Sequence, residues 1–352
     1  MDQKLESYKV KIANKRLKSP DSWKNPNEHL EILLKSPWYS SVLSVFNTCS
    51  IATHNFFQRE QSSIAFAPIT TGSISSPMGL GSDSLPVSAT IDGRDIYLAD
   101  SMQFSLELAL RVTGKTAYYI LPSFRGEKSD ARHLNQFIHA EAELFGNLDD
   151  VIGFVERYFK YMAQVLLDIS AEEVLRMGGD LAKLERVAGY SEKFPRISFE
   201  DATALLSNEP TAFERCDTGD LRITNHGERI ILKGHDTPVW ITHMPASTVP
   251  FYQAVSSNDT NISLTADLLA GIGETVGAGE RARTQLDVLE NLNRSKVDPK
   301  DYEWYLEMKR LTPVQTSGFG MGLERFLLWA TNRTDIRDWA FLLRNEFGEG
   351  YP

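Results

Sequence analysis

The sequence of 352 residues predicts an α+β fold, with strands and helices combined in one large domain. From Phe137 to Leu144 polar and apolar residues alternate strictly, which is the period of a β-strand with one buried face. Apolar residues in the segments 38–58 and 151–166 recur at helical spacing instead. No internal repeat or low-complexity linker divides the chain. These observations favour one mixed domain over two.

The elements follow in chain order. Residues 1–37 are polar and charge-mixed and are predicted to form an N-terminal arm, ahead of a domain spanning 38–352. Proline interrupts the apolar run 64–70, which favours an edge strand, and the Gly, Ser and Pro content of 71–87 predicts a loop. The further predicted elements are a helix at 38–58, strands at 94–99 and 115–121, a helix between them at 101–112, a long helix from 151, and candidate strands at Arg229–Lys233 and Val239–His243.

Composition indicates a globular protein with a real core, since 42% of residues are hydrophobic and 24% are charged. No apolar run approaches the roughly 18 residues that cross a bilayer, and the N-terminus lacks the hydrophobic stretch of a secretory signal. Cys49 and Cys216, the two cysteines, form neither a disulfide framework nor a metal-ligand cluster. We therefore expect a cytoplasmic protein with no membrane partner.

The net charge of −10 gives no support for tRNA binding, because proteins that hold long nucleic acids usually present a basic face. One basic cluster lies at residues 9–18. We interpret it as a solvated N-terminal face, with an RNA contact as the alternative.

The segment 124–144 carries the most functional information. Its predicted strand has four residues on one face: Phe137, His139, Glu141 and Glu143. The polar loop before that strand carries Arg125, Glu127, Arg132 and His133. A cation-rich loop and an acid-lined strand suit a nucleotide whose phosphates meet arginines and whose base stacks on a ring. The alternative is a surface loop with scattered charges.

Two later segments fit the same chemistry. Alternating glycines at 318–322 allow close backbone approach, and Arg325 follows on the first turn of an apolar helix, where it needs an anionic partner. A surface pair with Glu324 is the alternative. Asp267 and Glu274 flank a glycine turn and suit Mg²⁺, which prefers one or two carboxylates plus phosphates; solvated acids on a turn are the alternative.

In this order the three segments resemble the class II aminoacyl-tRNA synthetases. The matching runs are Phe124-Arg125-Gly126-Glu127 with Arg132-His133-Leu134-Asn135-Gln136-Phe137 for the second signature motif, Gly318 to Arg325 for the third, and the helix and strand ending near Pro68 for the first. Supporting runs at 101–107, 141–143, 271–274 and 301–306 are most similar to the asparaginyl-tRNA synthetase catalytic domain. The resemblance spans about 38–345 and implies the class II catalytic fold, a central antiparallel sheet flanked by helices. It also implies a homodimer formed through the first motif.

The resemblance implies ATP as a substrate and Mg²⁺ as a cofactor. Arg125 would grip the α-phosphate, and Phe137 would stack on adenine. Arg132 or His133, with Arg325, would hold the β- and γ-phosphates, while Glu127 would either contact the adenine side or order the loop. The implied ATP positions are Arg125, Glu127, Arg132, His133, Phe137, Gly322 and Arg325, with Arg125 and Arg325 as the catalytic pair and Asp267 and Glu274 as the metal ligands.

The implied amino-acid positions are Ser101, Gln103, Glu107, Glu141 and Asp83. Leu106 falls where aspartate-specific relatives carry a lysine, so an apolar residue there beside Glu107 suits a carboxamide NH₂ or another donor better than a second carboxylate. The family's mobile loop usually supplies a glutamate for the substrate ammonium, but Asp83 is the only acid in 72–83. The ammonium therefore sits elsewhere, or the substrate differs from free asparagine.

The family's anticodon-reading barrel needs roughly 100 residues, and no such segment precedes residue 38. The leading hypothesis is therefore an ATP-dependent ligase that activates an aspartate- or asparagine-like amino acid as an acyl-adenylate and releases pyrophosphate. A nitrogen nucleophile, ammonia or an amine, would then take the acyl group without tRNA. One alternative is an asparagine–tRNA ligase that works without an anticodon domain. The other is a non-catalytic regulatory dimer that binds ATP or an amino acid.

Overall fold

The computed structural model describes residues 16–24, 26–77, 85–216, 219–342 and 344. The α-helices of these residues are α1 (His29–Lys35), α2 (Pro37–Arg59), α3 (Gln103–Thr113), α4 (Leu148–Ile169), α5 (Ala171–Arg176), α6 (Leu181–Ala188), α7 (Phe199–Leu205), α8 (Asn225–Lys233), α9 (Gln285–Ser295), α10 (Glu303–Leu311) and α11 (Leu323–Thr331). The strands are β1 (Ser63–Ile64), β2 (Thr70–Thr71), β3 (Val87–Ile91), β4 (Arg94–Leu98), β5 (Ala117–Phe124), β6 (Gln136–Phe145), β7 (Arg196–Ser198), β8 (Phe213–Arg215), β9 (Leu221–Ile223), β10 (Val239–Thr242), β11 (Thr265–Ala270), β12 (Gly273–Glu280) and β13 (Thr316–Gly322).

Eight strands form the main sheet, in the order β1-β5-β6-β13-β12-β11-β10-β7. Its six inner strands pair antiparallel, and each edge strand pairs parallel with its neighbour. β2, β4 and β3 form a separate antiparallel sheet, and β8 and β9 form a hairpin. The predicted α+β fold, with a central antiparallel sheet flanked by helices, is confirmed.

Strand β6 separates the core from the site. Ala140, Ala142 and Leu144 are buried in the main apolar cluster. The alternate side chains, from Phe137 to Glu143, project from the other face of the sheet. The predicted alternation is therefore confirmed, and one face of the sheet is left for polar chemistry.

Helix α2 covers the core face, close to the predicted bounds of 38–58. Ser36 caps its N-terminus by accepting the Trp38 backbone N–H at 3.2 Å, and Pro37 takes the first helical position, where no N–H is needed. Phe57 stacks on Tyr118 of β5, with 4.2 Å between ring centroids. These contacts fix α2 against the strand that leads into the site.

The predicted strand over 64–70 is instead two short strands, β1 and β2. Pro68 lies between them, and proline cannot donate a hydrogen bond to a neighbouring strand. β4, α3 and β5 agree with the predicted elements to within a few residues. The proline therefore breaks the strand rather than only weakening it.

The segment 190–245 supplies one correct and one wrong prediction. Strand β10 matches the prediction at Val239–His243, but Arg229–Lys233 belongs to helix α8. Thr224 caps α8 by accepting the Gly227 N–H at 3.4 Å, and the buried Ile231 packs into a local apolar cluster. Local capping and tertiary packing outweigh the β-propensity of the apolar run here.

The described part of the arm packs on the domain. Ser19 Oγ donates to Asp338 Oδ1 at 2.6 Å, and His29 Nδ1 lies 2.8 Å from Ser22 Oγ. None of the helices described has both the length and the apolar character needed to cross a membrane.

Candidate active site

A glycine floor runs across the middle of the polar sheet face. On β13, a β-carbon at Gly318 would lie 2.1 Å from Glu143 Oε1, and one at Gly320 would lie 2.8 Å from Glu141 Oε1. Glycine at these two positions therefore makes room for the two carboxylates of β6. At Gly322 the nearest atoms belong to Arg325 and lie 3.9 Å away, so the protein itself leaves that position open.

One end of this floor opens into a cavity of about 560 Å³ that is lined by arginines. The Nε atoms of Arg125 and Arg132 are buried there and have no hydrogen-bond partner within the described chain. An unsatisfied buried donor is costly. Arginine pairs strongly with phosphate oxygens, so these donors fit an anionic ligand such as a triphosphate.

Arg325 enters the same cavity from the first turn of α11. Its Nη1 donates to the Glu274 carbonyl oxygen at 2.8 Å and lies 3.6 Å from Glu274 Oε2. Burial lowers the pKa of this guanidinium, Glu274 opposes that shift, and Arg132 and Arg125 lower the pKa further. Cations that repel one another around a cavity favour a polyanionic occupant.

Glu324 does not form the alternative surface pair with Arg325. Its buried carboxylate accepts the Ile138 backbone N–H at 3.0 Å, which joins the start of α11 to β6. Burial raises the pKa of Glu324 to about 7, although hydrogen bonds from backbone N–H groups oppose this. The contact ties the two segments that carry Phe137 and Arg325.

Phe137 lines the cavity, with the Arg125 guanidinium 5.5 Å from its ring centroid. His139 contacts the Phe137 ring edge to face, at 4.7 Å between centroids. A partly exposed aromatic ring held in this way can stack on a base.

The loop before β6 is ordered by its own side chains. Asn135 Nδ2 donates to the carbonyl oxygens of Arg125 and Glu127, at 2.9 and 2.5 Å. Glu127 Oε1 accepts the Leu85 N–H at 3.1 Å, so it makes the loop-ordering contact that the sequence left open, while it also lines the cavity. These contacts hold the loop between β5 and β6, residues 125–135 (the motif-two loop), at the cavity wall.

His133 faces the cavity from an exposed position, with Nδ1 2.9 Å from Asp130 Oδ1. Burial lowers the pKa of His133, and so does Arg325, while Asp130 opposes them.

The two predicted metal ligands lie together. A β-carbon on Gly277 would lie 3.2 Å from Glu274 Oε1 and 3.8 Å from Asp267 Oδ1, so both carboxylates converge over this glycine. Burial raises the pKa of Asp267 well above its usual range, and Glu274 and Glu228 raise it further. In the described residues no group of three or more His, Cys, Asp or Glu side chains is arranged to hold a metal. The pair fits a cation that takes its remaining ligands from phosphates, as Mg²⁺ does.

Polar side chains surround Glu141, which lies opposite Gly320 and next to the cavity residue His139. Ser101 Oγ donates to Glu141 Oε2 at 2.7 Å, the Tyr119 hydroxyl also donates to Oε2, and His139 Nδ1 lies 3.0 Å from Oε1. Burial favours protonation of Glu141, but His139 and the donated hydrogen bonds outweigh burial and lower its pKa. A fixed carboxylate of this kind can accept hydrogen bonds from a substrate ammonium.

Gln103 and Glu107 lie deeper than the sequence predicted. Gln103 is buried, and its Nε2 has no partner among the described residues, so it fits a ligand acceptor. Glu107 is fully buried and binds Lys309 Nζ and the Tyr305 hydroxyl, each at 2.6 Å. The structure does not bring Glu107 to the surface of the site, because its side chain is fully buried behind these contacts. Asp83 lies outside the described residues.

Sequence reasoning missed a buried ion pair at Glu143, the last polar residue on this face of β6. Arg281 donates to Glu143 Oε1 through Nε at 2.9 Å and Nη2 at 2.5 Å. Burial raises the pKa of Glu143 to about 7, and Arg281 opposes that rise. The signal was present, since Glu143 shares the polar face of β6 and position 281 continues the alternation of Gly277 and Gly279.

The sequence also missed the contribution of segment 190–245 to the cavity wall. Asn225 and Glu228 line it from α8, and Arg222 lines it from β9. No local motif marks these residues, because only the docking of α8 on the turn between β11 and β12 brings them there.

The family model for class II tRNA synthetases (D, K and N) matches residues 24–345. Asparagine–tRNA ligases of Pyrococcus abyssi and Pyrococcus horikoshii are each 32% identical over 329 residues, which cover 92% of this chain and 72% of theirs. The solved asparaginyl-tRNA synthetase of Pyrococcus horikoshii complexed with asparaginyl-adenylate has a TM-score of 0.82 at 30% identity, over 93% of this chain and 72% of that one. The Entamoeba histolytica asparaginyl-tRNA synthetase, at a TM-score of 0.77 and 20% identity over 90% of this chain and 70% of that one, supports the fold.

These similarities correct the functional hypothesis. The expectation of a tRNA-independent amide ligase is wrong, as is the view of tRNA as a doubtful partner, because the similar curated proteins are asparagine–tRNA ligases. Net charge misled the prediction, since a sum over the whole chain does not report a local binding surface. The expected enzyme class, an ATP-dependent ligase of the synthetase type, is confirmed. Both the family match and the shared architecture cover nearly all of this chain, which belongs to the class II aminoacyl-tRNA synthetases of the D, K and N group.

Proposed function

We propose that this protein activates asparagine with ATP to form asparaginyl-adenylate and then transfers the asparaginyl group to tRNA. The observation that carries the proposal is the arginine-lined cavity together with its neighbour Glu141: His139 lines the cavity, and its Nδ1 lies 3.0 Å from Glu141 Oε1. The relative with a TM-score of 0.82 carries asparaginyl-adenylate on this fold, and such a ligand has one anionic end and one amino-acid end.

The first step needs positioning rather than a base. A carboxylate oxygen of asparagine attacks the α-phosphorus of ATP, a new oxygen–phosphorus bond forms, and the bond to pyrophosphate breaks. Carboxylate oxygen is already nucleophilic, so the protein has to align the reactants and neutralise charge. Arg125 would stabilise the charge on the α-phosphate, as its unpaired buried Nε allows.

The remaining nucleotide contacts divide along the cavity. Phe137 would stack on adenine, with Glu127 ordering the loop beside it. Arg325 would hold the β- and γ-phosphates together with Arg132 or His133. All five side chains line one cavity, which supports this division.

Asp267 and Glu274 would hold Mg²⁺. Their convergence over Gly277 and the raised pKa of Asp267 support a divalent cation at this point. Bound there with the triphosphate, the ion would neutralise charge on the leaving pyrophosphate.

At the amino-acid end, Glu141 would accept the α-ammonium, and Ser101 would hold the Glu141 carboxylate in place. The buried Nε2 of Gln103 would donate to a substrate oxygen. With Glu141 in this role, the ammonium would be bound without a glutamate from the 72–83 loop.

Pyrophosphate exchange tests the first step. Exchange should depend on ATP and asparagine, be weak with aspartate, and fall in Arg125→Ala. Acid-precipitable radioactive asparagine with bulk tRNA tests the second step. Silence in the exchange assay would reject adenylate formation, whereas exchange without labelled tRNA would reject only the transfer step.

We also propose that two copies associate through α2 and the segment around Pro68. Leu43 and Ile51 on α2 are each about half exposed, and Phe66 beside the proline is 89% exposed. These exposed apolar side chains lie on both segments of the predicted dimer interface and support it. Light scattering should give a dimer, and Phe66→Asp should weaken it.

A further inference from the structure

We propose that Glu228, on α8 of the segment 190–245, is a positioning residue that holds Arg132 at the triphosphate end of the cavity. The inference rests on the proposed function, and it gives this segment a role in nucleotide binding. Three parts of the chain that are distant in sequence meet here: the motif-two loop, α8, and the turn between β11 and β12.

The contact itself is direct. Arg132 Nη2 donates to Glu228 Oε2 at 3.1 Å, and the two side chains are 20% and 15% exposed. Arg132 Nε remains buried without a partner among the described residues. Glu228 thus binds the Nη2 donor of Arg132 and leaves the Nε donor for a ligand.

Glu228 is in turn held by the fold. Asn225, one turn earlier on α8, donates to the Ile272 carbonyl oxygen at 2.7 Å, which docks the helix on the β11–β12 turn. At Gly273, a β-carbon would lie 2.2 Å from Glu228 Oε2 and 2.9 Å from Arg132 Nη2. Gly273 also has a φ of 139°, which L side chains rarely adopt. Glycine at position 273 therefore leaves the space that the ion pair between Arg132 and Glu228 occupies.

Around Gly273, arginines and acids are paired in a way that suits a positioning role. Arg132 pairs with Glu228, while Arg325 contacts Glu274 through its backbone oxygen and lies near its carboxylate. Each arginine is thus held by an acid of the cavity wall. A long arginine side chain that is anchored loses less conformational freedom when a phosphate binds.

Glu228 acts through Arg132, so a double-mutant cycle isolates its contribution. The variants are Glu228→Ala, Arg132→Ala and the double variant, with Glu228→Gln as a conservative form that keeps an acceptor oxygen. Asp236→Asn is the matched control, because Asp236 also faces an arginine of the helical region, Arg186 at 3.7 Å, but is 92% exposed.

The primary readout is the Kd for ATP with Mg²⁺, measured by calorimetry, which does not depend on turnover. Glu228→Ala should raise this Kd about tenfold, as expected for loss of a hydrogen bond to a charged group. Glu228→Gln should fall between the wild type and Glu228→Ala, and Asp236→Asn should match the wild type. In the Arg132→Ala background, Glu228→Ala should change nothing further.

In pyrophosphate exchange, the KM for ATP should rise in Glu228→Ala while the KM for asparagine stays within about twofold. A wild-type Kd for ATP in Glu228→Ala, or an equal loss with and without Arg132, would overturn the proposal. A general folding defect would instead lower the melting temperature and raise both KM values. Absence of exchange in the wild-type protein would reject the proposed function, and the calorimetric cycle would still decide the role of Glu228.

Discussion

Three glycines of β13 allow a graded test of the glycine floor. We consider alanine at 318, 320 and 322, which adds the same single methyl group at alternate positions of one strand face. At Gly318 the new carbon would meet Glu143 Oε1 at 2.1 Å and the Ala142 carbonyl oxygen at 2.6 Å. At Gly320 the closest atom would be Glu141 Oε1 at 2.8 Å, and at Gly322 nothing lies closer than 3.9 Å.

The loss of stability should depend on whether the atoms that meet the new methyl group can shift. Ordinary contact begins near 3.4 Å, and a backbone oxygen at 2.6 Å cannot swing away, so Gly318→Ala must displace β6 from β13. Overpacking costs about 1–3 kcal/mol, and occasionally more. We expect about 3 kcal/mol or more for Gly318→Ala and about 1–2 kcal/mol for Gly320→Ala, where only the Glu141 side chain must shift. Gly322→Ala should cost about 1 kcal/mol or less, since the methyl group meets no close atom and the only loss is a favoured N-cap residue.

Urea unfolding measures all three free energies, and pyrophosphate exchange measures their effect on the site. Gly320→Ala should raise the KM for asparagine more than the KM for ATP, because the methyl group pushes on Glu141. Gly153→Ala in the middle of α4 is the control, since a β-carbon there meets nothing within 4 Å and should stabilise the helix by about 0.5–1 kcal/mol. Equal stabilities for Gly318→Ala and Gly322→Ala would refute this explanation of the floor.

Three further predictions concern charged groups. Arg325→Lys keeps the charge but loses the guanidinium fork, so kcat/KM for ATP in pyrophosphate exchange should drop at least about tenfold; an unchanged value would remove Arg325 from the phosphate site. Asp267→Asn removes a carboxylate whose pKa is raised by burial and by neighbouring acids, so without divalent cations it should increase the free energy of unfolding by about 1 kcal/mol or more, while exchange with Mg²⁺ is lost; a destabilised variant would contradict this account. Burial raises the pKa of Glu324 from 4.5 to about 7, so its contribution to stability is full below pH 4.5 and is lost as the pH rises through 7. This pH-dependent contribution of Glu324 is at most about 3 kcal/mol. The free energy of unfolding of Glu324→Gln, measured in urea, should therefore increase relative to the wild type between pH 5 and pH 8. A difference that stays constant over this range would argue against a titrating Glu324.

The sequence predicted best where a local pattern has one physical solution. The strict alternation from Phe137 onward fits only a strand that buries one of its two faces, and β6 is such a strand. Helical spacing predicts α2 in the same way, and the structure adds the Ser36 cap at its N-terminus. The alternative of a surface ion pair between Arg325 and Glu324 is wrong, because these two residues are adjacent in sequence but their side chains do not meet. Its partner, Glu274, comes from the adjacent strand β12.

The remaining site residues depend on contacts that no local pattern encodes. Glu107 is a pocket residue by position in its motif, yet Lys309 and Tyr305, about 200 residues later, close over it. Glu228 reaches the cavity only because α8 docks on a turn that forms elsewhere. The apolar run at 229–233 suits a strand by itself, but the cap at Thr224 begins a helix ahead of it. Tertiary packing decides such positions, and one sequence does not report it.

The pairing of β6 with β13 has a consequence for biosynthesis. The register joins His139 to Gly322, which are 183 positions apart (322 minus 139). Contacts between such distant residues close slowly, because a long loop must be ordered first. While the ribosome makes the intervening chain, the edge of β6 has no strand to bind and is a template for aggregation. Fragments that end before residue 316 should therefore precipitate or recruit chaperones, and catalytic competence should appear only after synthesis of the last strand.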